Sequence, residues 1–149
     1  MVEIVANEKK FEFLEHTADV YIAAYGKDMI EAFENAAFAM FEVMTDVSNL
    51  KADIEDYVEV EGEDEQALLY NWLEALLVKF ELNDILFSKF KILKMETTPS
   101  GFELKAEVFG EKFNPEKHVQ KVGIKAVTYH RMQIIKEKNR ITMKFILDI

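Results

Sequence analysis

The sequence predicts an α+β fold, a largely antiparallel sheet packed with two main helices. Three observations predict it: short alternating apolar segments near the start, two helix-length apolar patterns separated by one strand-like stretch, and a return to alternation over the last third. Half of the 149 residues are hydrophobic, enough for one compact domain over 1–149 with a sizeable core. The order of the strands does not follow from the pattern.

Residues 1–9 are mixed and read as a frayed or short edge segment. Phe11–Phe13 and Val20–Tyr25 alternate as two strands, with His16, Thr17, Ala18 and Asp19 at their junction. Gly26 ends the second strand. Asp28 followed by Glu31 has capping-box spacing, the first accepting from the amide three residues on and the second reaching back. Met29, Ile30, Phe33, Ala37, Met40, Phe41 and Met44 then recur at three- and four-residue steps, which predicts a helix over 28–45.

A polar connection over 47–52 leads to a strand over 54–63, in which acidic residues alternate with Tyr57, Val58 and Val60. The acidic run Glu59 to Glu65 invites a metal reading. The simpler reading is outward strand carboxylates followed by Asp64 and Glu65 at the positive end of a helix. Over 67–82 the apolar positions Leu68, Leu69, Trp72, Leu73, Leu76, Leu77 and Phe80 cover more than one face, so this helix is expected between layers. Strands over 85–97 and 102–109 flank the turn Thr98-Pro99-Ser100-Gly101 and make a hairpin. Residues 110–123, with Pro115 and His118, are loop-like. Between a strand and a helical turn for 124–130, Val127, Thr128 and Tyr129 favour the strand. Lys138-Asn139 turns the chain into a last strand over 141–147. No low-complexity linker and no repeat is evident.

No apolar run is long enough to span a bilayer, and Met-Val-Glu-Ile lacks the basic start and apolar middle of a signal peptide, so a cytoplasmic protein without membrane contact is expected. The absence of cysteine removes disulfides, thiolate metal sites and a cysteine nucleophile, and leaves zinc only three histidines and carboxylates. A formal net charge of -10 argues against direct nucleic-acid binding, which needs clustered Lys and Arg. Sixteen of the 18 basic residues are lysine; with abundant Glu and no Cys, this resembles the composition of proteins from hot environments.

Chemistry concentrates at two places. The sequence ends on Leu147-Asp148-Ile149, a side-chain carboxylate followed by the α-carboxylate of the last residue, directly after a strand-like run. If the fold brings Asp19 beside them, three carboxylates converge, and such a cluster needs a cation, a shared proton or separation. Oxygen-only ligands from Asp19, Asp148 and Ile149 would favour a hard ion, Ca²⁺, Mg²⁺ or Mn²⁺. Taken alone, His16 and Asp19 three residues apart suit turn capping better than catalysis. At the second place, Lys125 within an apolar-patterned segment reads first as a solvated outward side chain, with an ion-pair partner for the carboxylates or a phosphate-binding point charge as alternatives. His16, His118 and His130 lie in separate segments without the i, i+4 spacing of a helical metal pair, and hydrogen-bonded structural roles are the simpler reading. There is no Gly-rich phosphate loop and no GxSxG.

His16-Thr17-Ala18-Asp19-Val20, the helix from Glu31-Ala32-Phe33 to Met40-Phe41, the central Trp72-Leu73, Lys125-Ala126-Val127-Thr128-Tyr129-His130 and the terminal Asp148-Ile149 together resemble the archease family, in order and over essentially the whole chain. The resemblance implies a small α+β accessory protein, not an enzyme, that acts with the RtcB-type tRNA-splicing RNA ligase. That ligase joins 3′-phosphate and 5′-hydroxyl RNA ends with GTP and a divalent metal through a histidine-guanylate intermediate. The implied role is to promote ligase guanylylation and multiple turnover and to broaden nucleotide use. The resemblance also implies an alternative, a chaperone-like modulator of RNA-modifying enzymes such as a tRNA cytosine methyltransferase. By motif match, Asp19, Asp148 and the Ile149 carboxylate would be the family's divalent-metal site, most often Ca²⁺, and Lys125 its functional lysine.

Overall fold

The structure, a computed structural model, describes residues 9–14 and 19–149. The first-residue segment 1–8 and the motif residues His16, Thr17 and Ala18 lie outside the described residues. Eight strands and two long helices follow in the order β1 (Phe11–Leu14), β2 (Val20–Gly26), α1 (Met29–Met44), β3 (Ile54–Gly62), α2 (Glu65–Asn83), β4 (Ile85–Thr98), β5 (Gly101–Lys112), β6 (Ala126–Val127), β7 (Gln133–Lys136) and β8 (Ile141–Asp148). A one-turn 3-10 helix at Val47–Asn49 interrupts the expected polar connection, with Val47 buried.

The strands divide between two antiparallel sheets. In the first, β2 lies between β1 and β8, and the far side of β8 is shared by β7 along its first half and β6 at its end. The second has the order β3-β5-β4. Both helices touch both sheets: α1 packs on β2, β8 and β4, and α2 on β3, β4 and β5 on one side and β6 and β7 on the other. This is the between-layers position that the all-round apolar pattern of α2 predicts. Trp72, Phe33, Phe41 and Phe87 are fully buried between the layers, and the Trp72 indole N–H donates to the Phe33 carbonyl at 2.9 Å, tying α2 to α1. Burial of an indole is stable when its one donor finds such a partner.

Both helices start on one design. Gly26 ends β2 so close to α1 that an added Cβ would lie 2.3 Å from the Ala32 amide nitrogen; at Gly62, the end of β3, the same atom would lie 2.4 Å from the Leu68 nitrogen. Only glycine permits that approach. Two residues on, Asp28 caps α1 through the Glu31 amide (2.8 Å), and Asp64 caps α2 through the Ala67 amide (2.7 Å). Asn35 donates back to the Tyr25 carbonyl at 2.7 Å, and Asn71 to the Glu61 carbonyl at 2.6 Å. Every one of these positions has its counterpart 36 residues later. The chain therefore contains a structural repeat, β2–α1 and β3–α2, which the sequence pattern conceals. Glu31 does reach back as the capping box predicts, but to the amide of Lys27 (2.7 Å), one residue before the cap.

Two boundaries differ from expectation. β5 runs on to Lys112 because its pairing continues through Ile54–Gly110 and Ile85–Lys112 on either side. Residues 124–130 are strand only at Ala126–Val127; the chain then turns, with Arg131 in the left-handed region at φ 57° and the Met132 amide bonded to the Tyr129 carbonyl at 3.1 Å, before β7. One strand, β8, thus serves two short partners in succession.

Candidate functional site

The candidate site lies where β8 ends. Leu147 pairs with Val20, the first residue of β2, and on the other side with Val127 of β6, while Asp148 pairs with Ala126. The Lys125 amide donates to the Asp148 carbonyl at 2.7 Å, and Thr128 clasps the Ile146 carbonyl with its amide (3.3 Å) and its hydroxyl (2.9 Å). Asp19 immediately precedes Val20, so the antiparallel register carries it to the β2 side of Asp148 and carries Lys125 to the β6 side. The expectation that the fold brings Asp19, Asp148 and Ile149 to one place is consistent with this register, and Lys125 joins them.

Side-chain alternation decides which faces are presented. Ile22 and Ala24 on β2 and Met143, Phe145 and Leu147 on β8 point into the core, so Asp19 and Asp148 fall on the opposite, outer face. Asp148 and Lys125 are exposed, Asp19 is half-buried, and Ile149 packs its side chain against the core. That packing holds its backbone at the sheet end. The donor set expected from the sequence is two carboxylates on one face of adjacent strands with the Ile149 carboxylate. It is oxygen-only and partly open to solvent, which suits a hard divalent ion that keeps some of its water. Among the described residues no three His, Asp or Glu side chains form a cluster that could hold a metal.

The histidines go elsewhere. His118 is buried in the loop after β5: its Nδ1 accepts from the Asn114 amide at 2.9 Å, and its Nε2 lies 3.0 Å from Glu111. Glu111 also accepts from Lys117 and from the Lys51 amide (2.9 Å). The Lys117 ammonium, the Lys51 amide and the His118 ring together hold the Glu111 carboxyl down at about 2. His118 is structural. His130 is exposed in the turn between β6 and β7. The acidic run Glu59 to Glu65 is no ligand cluster: Glu59, Glu61 and Glu63 are exposed, and Asp64 is the helix cap.

Two residues escape a reading of the sequence, Arg131 beside the site and Arg140 toward the other end of β2. The guanidinium of Arg131 stands 5.1 Å from the Tyr21 ring centre, on the face that carries Asp19 two residues earlier, and that of Arg140 stands 4.7 Å from the Tyr25 ring. The signal was present: arginine occurs twice in a lysine-rich chain, and both copies are seated on β2 tyrosines. Tyr129, just beyond Thr128, stacks on Tyr70 of α2 with ring centres 4.4 Å apart and planes 5° from parallel. Burial, then the nearby carboxylates of Asp64, Glu63 and Glu74, push the Tyr129 hydroxyl above its ordinary pKa.

A sequence profile of the Archease protein family (MTH1598/TM1083) matches residues 11–149. The chain belongs to the archease family. Among curated relatives, the protein archease of Sulfolobus acidocaldarius is 45% identical over 140 residues, covering 94% of this chain and 99% of its own. The protein archease of Methanothermobacter thermautotrophicus is 46% identical over 141 residues, with 95% and 99% covered. The solution structure of Methanobacterium thermoautotrophicum protein 1598 aligns with a TM-score of 0.83 at 46% identity, over 94% of this chain and 99% of that one. A Thermotoga maritima crystal structure, described as an archease and possible chaperone, shares the fold at a TM-score of 0.57 and 16% identity, over 93% and 96%. Among the described residues no helix is long and apolar enough to cross a membrane.

Proposed function

We propose that the chain activates an RtcB-type 3′-phosphate RNA ligase in tRNA splicing, promoting its guanylylation and turnover from the end of the terminal sheet. The observation that supports this reading is the register, in which the end of β8 lies between the start of β2, next to Asp19, and β6, next to Lys125. Asp19, Asp148 and the Ile149 carboxylate would hold a divalent ion, Ca²⁺ first, with Mg²⁺ or Mn²⁺ also compatible with oxygen ligands. Bound there, the ion supplies positive charge for carboxylate and phosphate oxygens. Lys125, exposed beside it, is placed to contact a phosphate or an acidic group of the ligase. A net charge of -10 suits a protein that meets a basic RNA-binding enzyme while leaving RNA itself alone, by an attraction that weakens in salt.

The test is single-turnover guanylylation of the ligase with GTP and metal, with and without the chain. Asp19→Ala, Asp148→Ala and Lys125→Ala each remove the stimulation; full stimulation by all three would defeat the site assignment. A second reading, a chaperone-like modulator of RNA-modifying enzymes such as a tRNA cytosine methyltransferase, is favoured by the description of the Thermotoga neighbour as a possible chaperone. It predicts that the chain suppresses aggregation of such an enzyme equally well with Asp148→Ala.

A further inference from the structure

The second sheet has two edges, and they are finished differently. On β4 the pairing register shifts twice, between Phe87 and Lys89 and between Ile92 and Lys94, and the Ile92 amide donates to Glu34 of α1 at 2.9 Å. Bulges and a side-chain cap of this kind prevent a further strand from adding. β3 is regular over Ile54–Gly62 and pairs only with β5 among the described residues. The two-residue turn between Thr98 and Gly101 makes that pair a hydrogen-bonded one. Alternation then directs the even residues of β5 toward β3, and turns the backbone groups of Glu55, Tyr57, Glu59 and Glu61 outward.

The repeat shows what that side is for in the other unit. Tyr25 occupies the place in β2 that Glu61 occupies in β3, and its amide bonds outward to the Lys10 carbonyl at 2.8 Å, in the ladder with β1. Among the described residues, no strand fills beside β3 the position that β1 fills beside β2. Two of the outward groups are occupied locally: the Tyr57 amide by the Asp56 carboxylate (2.7 Å), and the Glu61 carbonyl by Asn71. The amides and carbonyls of Glu55 and Glu59 have no partner among the described residues.

Alongside this edge runs a groove of about 520 Å³ between β3 and α2, in which apolar Val60, Ala75, Val78 and Leu82 lie among polar residues that include Glu74 and Lys79, the latter paired with Asp56 at 3.0 Å. Leu82 is 76% exposed and Val78 39%, two aliphatic side chains that lie together along the groove on the solvent side of α2. A strand laid along β3 would place alternate side chains over Ala75, Val78 and Leu82, and the others beside Glu55, Glu59 and Glu61. Its chemistry follows. A second copy of β3 would set glutamates against glutamates, which is unfavourable between paired strands.

We propose that the open edge of β3 is a strand-addition site for an extended segment of a partner protein that alternates basic and apolar side chains. Backbone bonds to Glu55 and Glu59 supply the pairing, the groove on α2 takes the apolar side chains, and the glutamate row selects Lys and Arg.

The test uses the full chain, ¹⁵N-labelled and titrated with a ten-residue peptide of alternating valine and lysine, and with its glutamate-for-lysine counterpart. The lysine peptide is expected to shift and protect the amides of 55–61 and to shift those of 71–82, while the glutamate peptide does neither. Glu59→Pro, which removes an outward amide and no ladder bond, is expected to weaken binding at least about 10-fold, the size of one to two lost backbone bonds. Leu82→Asp, at an exposed position, provides a second variant independent of the strand and is expected to weaken binding as well. Shifts confined to other surfaces, equal binding of both peptides, or binding untouched by both variants would overturn the proposal. So would concentration-dependent self-association through 55–61 without peptide.

Discussion

At the end of β2, Gly26 lets the chain turn tightly into α1, Asp28 caps the helix, and Asn35 ties it back to the strand; at the end of β3, Gly62, Asp64 and Asn71 repeat all three contacts. What differs is where each strand lies. β2 is an interior strand, buried on both faces, and starts beside Asp148 at the candidate site. β3 is, among the described residues, an edge strand with a charged outer face and an unpaired side. The joint is local chemistry that any strand–helix unit can reuse. Function depends on the neighbours the strand acquires, and those are set by distant parts of the chain.

The comparison breaks most severely at the glycines. Gly26→Ala and Gly62→Ala each force a Cβ onto a backbone nitrogen, and each is expected to cost about 3 kcal/mol in urea unfolding, at the upper end of overpacking effects. Near-equal losses mean that the two joints are equivalent; a tolerated Gly62→Ala would make the second a looser copy. The asparagines sharpen the difference. Asn35 is half-buried between β2 and α1, whereas the Asn71 bond is exposed to solvent. Asn35→Ala is therefore expected to cost about 1 kcal/mol and Asn71→Ala less, because only the first leaves a carbonyl poorly reached by water.

A smaller effect separates the sheets by pH. Glu111, at the end of β5, is held at about 2 by Lys117, the Lys51 amide and His118. Its folded pKa is below the unfolded value, so its stabilisation is complete above about 4.5 and is lost as pH falls from there toward 2. Acid unfolding followed by circular dichroism should show a weaker pH dependence over this range in Glu111→Gln. An unchanged profile would place the acid sensitivity elsewhere.

Legibility in the sequence divides along the same line. The helices were legible because a cap and a three-to-four residue apolar period are local, and α2 announced its position between layers by being apolar on more than one face. The β4–β5 hairpin was legible from Thr98-Pro99-Ser100-Gly101. The split into two sheets was not, since it depends on β2 choosing β8 at the far end of the chain. β6 was legible as strand from Val127, Thr128 and Tyr129, but not its extent: only two residues are strand because only Leu147 and Asp148 pair with them. The repeat was hidden because the joint needs only a few shared positions, while the strands around it diverge with burial. At the site, carboxylate chemistry pointed to Asp19, Asp148 and Ile149, but Arg131 over Tyr21 depends on a left-handed turn that no motif marks.

The most direct test of the central claim, that the working part is the β8 end between β2 and β6, is single-turnover guanylylation of the ligase with wild type, Asp148→Ala and Glu59→Pro side by side, with urea midpoints recorded for all three. Asp148 is exposed and its backbone bonds survive the substitution, so stability should stay within about 0.5 kcal/mol of wild type. The account predicts that stimulation disappears in Asp148→Ala at an unchanged urea midpoint while Glu59→Pro still stimulates chemistry in a saturated complex. Full stimulation by a folded Asp148→Ala would contradict it.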